Sequence, residues 1–225
     1  MKSTAFSAVP VAGLRNRLTT ADHIAEALRH AIQSGDLADG MELSQVGLAQ
    51  HFGVSRVPVR EALRALEAEG WITAPTNLRA FVQSLTLDEI DEIFRMRFLL
   101  EPDLIGRSIH NVDDAVIADL RARCDEMDAM RDHAKWVACN REFHRALLAP
   151  SGATFTLKLV EQLTAHVERY LRLHCAKSDR QQEAGVEHRA LVDAIARRDV
   201  RKAKAILREH IDDSRVGVLA AVRNR

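Results

Sequence analysis

Apolar residues recur at helical spacing along most of the chain, and the breaks between these runs define its elements. From Thr20 to Ser34, Ile24, Ala27, Leu28, Ala31 and Ile32 form one apolar stripe. Gly35 predicts the end of that helix. Ser44 is placed to cap a short helix running through His51, with Val46, Leu48, Ala49 and Phe52 as its apolar side, and Gly53 breaks it. Ser55 is placed to cap a third helix, which tolerates Pro58 in its first turn and stops at Gly70. Two short β-prone runs follow, Trp71–Thr73 and Ala80–Gln83, around Pro75-Thr76-Asn77, and predict a hairpin. Three helices plus a β-hairpin make a winged helix-turn-helix.

Beyond Leu85 the pattern is helical throughout. Thr86 caps a run to about His110, with Asp88 and Glu89 favourably placed at its positive end. Further helices are predicted at Val112–Asp132, His133–Ala149, Ala153–Lys177, Arg180–Arg197 and Val200–Val222. The fold expected is therefore mostly α: a flexible leader over 1–18, a winged helix-turn-helix over 19–85, and an all-α bundle of six to seven helices over 86–225.

Composition narrows the setting. Aromatics make up only 4% of the 225 residues, which favours long helices over a strand-rich fold. Lys and Arg number 32 against 32 Asp and Glu, so any nucleic-acid contact must come from local patterning. Cys124, Cys139 and Cys175 are odd in number and lack CxxC spacing, which points to a reducing cytoplasm and argues against a disulfide framework. No apolar run approaches the roughly 20 residues a membrane helix needs.

Local patterning is present on the third helix. Val59, Ala62, Leu63 and Leu66 form its inward face and leave Arg56, Arg60 and Arg64 in an outward stripe. Such a stripe repels itself unless anions are supplied. Phosphates and guanine edges would supply them, with Ser55, Arg56 and Arg60 in the half of a recognition helix that reaches bases, and Arg64 nearer the backbone. A solvated face with Glu61 and Glu67 as partners is the plainer alternative. Arg79 in the wing is placed either to enter a minor groove or to remain a loop arginine.

The helical half holds a second constellation. Asn140 and His144 are four residues apart on one helix and share a face, while His188 and His210 lie on two later helices able to pack antiparallel. Three imidazoles and an amide oxygen could converge on a divalent metal, although each histidine taken singly is more often a core or surface residue.

The block LSQVGLAQHFGVSRVPVREALRALEAEGWI, Leu43 to Ile72, resembles the DNA-binding signature of the GntR family of bacterial transcription regulators. Two positions depart from it: Val46 stands where members often have a basic residue, and Asn77-Leu78-Arg79-Ala80 replaces a glycine-rich wing tip. The segment Leu87 to Leu219 resembles the FCD effector domain of the FadR-like branch, through Arg97-Phe-Leu-Leu-Glu101, Asn140-Arg-Glu-Phe-His144, His188 and His210.

The resemblance implies a homodimeric regulator, more often a repressor, on a palindromic double-stranded operator. It also implies a small carboxylate-containing effector and a metal such as Zn²⁺ or Ni²⁺ at Asn140, His144, His188 and His210. Asn140 stands where Asp is usual, which removes one negative charge from the set. Arg97 and Arg169 are candidate clamps for an effector carboxylate. Arg97 could equally pair with Glu101 along its own helix. Arg172, Trp136, Tyr170 and His174 are weaker pocket candidates. A metal-dependent hydrolase or lyase with a DNA-binding appendage is the rival reading, but no HExxH or nucleophile motif supports it. A third reading makes the histidines vestigial or purely structural.

Overall fold

The structure, a computed structural model, describes residues 19–76, 79–176 and 179–224. The predicted leader and the wing-tip residues Asn77 and Leu78 lie outside them. Two units separate: residues 19–31 with Leu37–Gln83 form one, and Ile32–Asp36 with 84–224 form the other.

The first unit contains α1 (Thr20–Ser34, except for its last turn), β1 (Glu42–Ser44), α2 (Gln45–Phe52), α3 (Arg56–Ala68), β2 (Ile72–Thr76) and β3 (Arg79–Val82). Ser44 caps α2 by accepting from the Gly47 N–H, and Gly53 closes the helix in the left-handed region at φ 65°, a conformation that costs glycine little. Ile24, Leu28, Val59, Leu63, Leu66, Trp71, Ile72 and Val82 are all buried. Glu69, just past α3, receives both Arg29 Nε and Nη2 at 2.9 Å and the Trp71 indole at 3.1 Å, which ties α1 to the end of α3.

The wing differs from the expected hairpin. β1 joins it, giving an antiparallel sheet in the order β1-β3-β2 with Leu43 opposite Ala80 and Ser44 opposite Arg79. Three residues are too few to announce a strand by alternation, and only buried Leu43 between exposed Glu42 and Ser44 carries that signal. The β2–β3 register slips between Thr73 and Thr76, where Pro75 has no N–H to give the ladder.

The second unit is built from α4 (Leu87–Asn111), α5 (Asp114–Ala129), α6 (His133–Leu148), a 3-10 turn at Ala149–Ser151, α7 (Thr154–Cys175), α8 (Arg180–Ala196) and α9 (Val200–Arg223). Thr86 and Glu89 close a full capping box on α4. Asp113 and Asp199 cap α5 and α9, which is why α5 starts two residues later than predicted. Among the described residues no helix is long and apolar enough to cross a membrane.

Helix α4 is the spine. Ile90, Phe94, Arg97, Glu101, Leu104, Ile105 and Ser108 lie on its buried side, and it packs against α6, α7 and α9. Ser108 Oγ donates to the Leu147 carbonyl at 2.6 Å, and Asn111 Nδ2 donates to the Pro150 carbonyl at 2.8 Å. Both bonds span 39 residues, so α4 and α6 run in the same direction with one register. The turn between α8 and α9 holds Arg198 at φ 57°, where its guanidinium donates to the Ile109 and Val112 carbonyls at the end of α4.

Candidate functional site

In the first unit, α3 presents Ser55, Arg56, Arg60 and Arg64 to solvent while Val59, Ala62, Leu63 and Leu66 are buried. Neither the Glu61 nor the Glu67 carboxylate comes within 4 Å of their guanidinium nitrogens: among the described residues none of the three arginines forms an ion pair. Ser55 occupies the N-cap position in extended backbone, yet its side chain makes no capping bond, contrary to the expected cap. Its hydroxyl is therefore not committed to the helix. Arg79, on β3, lies 3.6 Å from Glu42, with both side chains largely exposed. A shallow cleft brings Gln45, Arg60, Arg64, Glu67 and Arg79 together between α3 and the sheet. Val46, near the start of α2, is exposed and apolar.

In the second unit the three histidines converge. His144 on α6, His188 on α8 and His210 on α9 are all buried, and their ligand atoms lie within 4.8 Å of one another. His144 Nε2 and His210 Nε2 are 3.1 Å apart. Two imidazoles on one Zn²⁺, each at about 2.0–2.1 Å, stand about 3–3.5 Å apart at tetrahedral or octahedral angles, so the spacing fits one shared ion. The Asn140 Oδ1, the His144 Nδ1 and both His188 nitrogens are buried without a hydrogen-bond partner among the described residues. Buried polar atoms left in this way are uncommon, and they cluster where a bound group would satisfy them.

Burial pushes the His144 and His188 imidazoles well below their ordinary range, helped by the neighbouring His210. His210 also lies low, because burial outweighs the Glu187 carboxylate beside it. Neutral imidazole is the form that ligates a metal.

A support behind His210 escaped the sequence. Glu187 Oε2 is 2.5 Å from His210 Nδ1. Arg180 grips the same carboxylate with two bonds of 2.7 Å, and its Nη2 also reaches the His210 carbonyl and Ser214 Oγ at 3.3 Å. Burial pushes the Glu187 carboxyl up, but hydrogen bonds from His210 and Arg180 outweigh it and hold the group at about 2. A carboxylate on Nδ1 fixes the tautomer that leaves the Nε2 lone pair facing His144. Glu187 adjoins His188 in sequence, which hid its relation to His210, 23 residues further on and on the next helix. The available signal was Arg180 and Glu187 seven residues apart, two turns along one face of α8.

The remaining candidates divide. Arg97 is buried and pairs with Glu101, Nε to Oε1 at 2.6 Å, the helical pair that stood as its alternative. Its charge still reaches His144 and His210. Trp136 stacks on His188, with ring centroids 6.3 Å apart, and so lines the centre. Arg169 instead donates to the Tyr170 hydroxyl, which also accepts the Leu85 N–H. Arg172 pairs with Glu168 on its own helix, and His174 packs over Gly217, where any Cβ would collide with the ring. The structure does not bring these last four to the histidines.

An exposed, unpaired arginine helix beside a small sheet, joined in one chain to a helical unit with a buried histidine cluster, defines a DNA-binding regulator of the winged-helix class. Residues 20–82 match the family described as bacterial regulatory proteins, gntR family, and residues 92–213 match the FCD domain. The chain belongs to the GntR family and carries an FCD domain. It is similar to the uncharacterized HTH-type transcriptional regulator BphR of Paraburkholderia xenovorans, 30% identical over 92% of this chain and 87% of that one. It is also similar to the HTH-type transcriptional repressor GlaR of Escherichia coli, 26% identical over 82% of this chain and 89% of the relative. The solved structure of E. coli McbR/YncC shares the fold, with a TM-score of 0.79 over 91% of this chain and 98% of that one at 22% identity. The relatives are named as regulators, and nothing favours the hydrolase or lyase reading.

Proposed function

We propose that the chain is a cytoplasmic, homodimeric repressor whose helical domain binds a small organic acid on a divalent metal and so changes operator affinity. The domain division is taken as 19–85 for operator binding and 86–225 for effector binding and dimerisation, with residues 1–18 as a leader. Ser55, Arg56 and Arg60 contact bases in the major groove of each half-site, Arg64 contacts phosphate, and Arg79 approaches the neighbouring minor groove. The relative GlaR is named a repressor, which supports the sign of regulation.

The metal is held by His144, His188, His210 and the Asn140 amide oxygen. The observation that carries this reading is the set of buried, neutral, unpartnered donors around the His144–His210 pair. Zn²⁺ and Ni²⁺ suit imidazole donors. Without the charge of an aspartate at 140, the ion keeps more of its positive character for an anionic ligand. When bound, the ion supplies a Lewis-acid point for a carboxylate. Arg97 stands behind it as a second cation, and Arg169 could join only by releasing Tyr170.

An effector shifts operator binding only through its different affinities for the DNA-competent and incompetent arrangements, and a tenfold release corresponds to about 1.4 kcal/mol of difference. The test is binding of the purified protein to its own promoter, with zinc bound and with or without candidate acids. His144→Ala is expected to abolish metal uptake and acid response while leaving operator binding intact. Full acid response in a protein that no longer takes up metal would overturn the role given to the ion.

A further inference from the structure

Glu101 is 1% exposed, yet its carboxylate is only half used. Oε1 accepts from Arg97, whereas Oε2 is buried with no hydrogen-bond partner among the described residues. Leaving a charged acceptor dry costs at least about 1–3 kcal/mol. One oxygen would suffice for Arg97, so the pair alone does not account for the second.

The register of the helices indicates the level of the fold at which Glu101 stands. The bonds from Ser108 to Leu147 and from Asn111 to Pro150 set α4 and α6 running together at an offset of 39 residues. Both helices rise about 1.5 Å per residue, so carrying the offset back two turns places Glu101 level with Asn140. The Asn140 oxygen is also unpartnered. Glu101 is not itself a fourth ligand: the group whose ligand atoms lie within 4.8 Å of one another stops at the three histidines. Its partner Arg97 is near enough for its charge to act on His144 and His210, which sets the pair beside the centre. Oε2 can only accept, so a molecule meeting it must bring a donor.

We propose that Glu101 Oε2 accepts a hydrogen bond from a hydroxyl or ammonium group on the acid bound at the histidine centre. The effector is then a hydroxy- or amino-substituted carboxylic acid, and Glu101 is the residue that rejects the unsubstituted one. This rests on the reading of the histidine centre as an effector site.

The test is calorimetric titration of the zinc-loaded full chain with matched acids that differ only in the donor: succinate, malate and aspartate, then propionate, lactate and alanine, then five- and six-carbon sets built likewise. A hydroxy or amino acid is expected to bind at least about tenfold tighter than its unsubstituted match, as a bond to a charged acceptor implies. The malate and aspartate arms show which donor the site takes. In Glu101→Gln the amide oxygen stays with Arg97 and an N–H₂ faces the ligand, so the ratio is expected to collapse to about one while zinc affinity holds. If that variant does not fold, the ratio in the unmodified chain decides. Equal affinity within each matched set overturns the inference and leaves the effector site standing. No binding by any acid of the panel, with zinc bound, overturns the effector site and the inference with it.

Discussion

Replacing Glu187 by Gln separates two jobs that one carboxylate performs. Gln keeps the volume and one acceptor but removes the charge that Arg180 grips at 2.7 Å and that His210 Nδ1 meets at 2.5 Å. Arg180 then has a side chain 3% exposed and another carboxylate, Glu183, at 3.8 Å. Breaking a buried pair by removing one partner costs about 3–5 kcal/mol. Glu187 is about a quarter exposed, and the His210 carbonyl and Ser214 hydroxyl still accept from Arg180. Those two facts reduce the expected loss to about 2–3 kcal/mol for the metal-free protein, read by urea denaturation. The second effect is on the ion. Loss of a carboxylate that orients a ligating histidine lowers metal affinity about 10- to 100-fold, read by zinc competition against a chromophoric chelator. Stability falling as stated while zinc affinity stays within about threefold of the unmodified protein would refute the coupling of Glu187 to the ion through His210.

Three further outcomes are expected. Arg56→Ala and Arg60→Ala should each weaken operator binding by about 1–3 kcal/mol per half-site and relax selectivity, whereas Arg64→Ala should reduce the salt slope by about one per contact without changing sequence preference; gel shift across a salt series distinguishes them. Arg198→Ala keeps the left-handed backbone and loses the bonds to Ile109 and Val112, for about 2 kcal/mol of destabilisation by thermal melting, while Arg198→Gly should recover about 1 kcal/mol of it by relieving the backbone. Burial pushes the Cys124 and Cys175 thiols up to about 11, so the neutral thiol is favoured in the fold: that contribution is intact below the ordinary thiol pKa of about 8.5 and is lost as pH climbs towards 11. At pH 8 iodoacetamide should label only half-buried Cys139 in the native chain and all three thiols in urea, counted by mass.

The helices were legible because caps and glycines punctuate them: Thr86, Ser44, Gly53 and Gly70 stand where the chain changes state. β1 was not, since a three-residue strand lies below the length at which alternation carries information. The arginine stripe on α3 could be read from a four-residue period within one element. The histidine centre could be read only in part: the spacing allowed His144, His188 and His210 to converge, but they come from three helices whose packing no local period encodes, and the likeness to known regulators gave that reading its weight. Arg180 and Glu187 were lost for a related reason. Charges near a helix start read as solvated, and the partner that makes them functional, His210, comes from another helix. The Arg97–Glu101 pair was visible along α4, but the spare oxygen of Glu101 becomes meaningful only once the register with α6 is known.

Ser44 closes β1 opposite Arg79 through its backbone, and its hydroxyl accepts from the Gly47 N–H in the first turn of α2. Ser44 is thus one of the points at which the wing and the helix-turn-helix meet, like the pin of a calliper. Strain on Arg79 from a narrow groove would be felt in the first turn of α2. With Arg79 in the groove as proposed, the width of the duplex, as well as the letters written on it, would bear on how the protein fits.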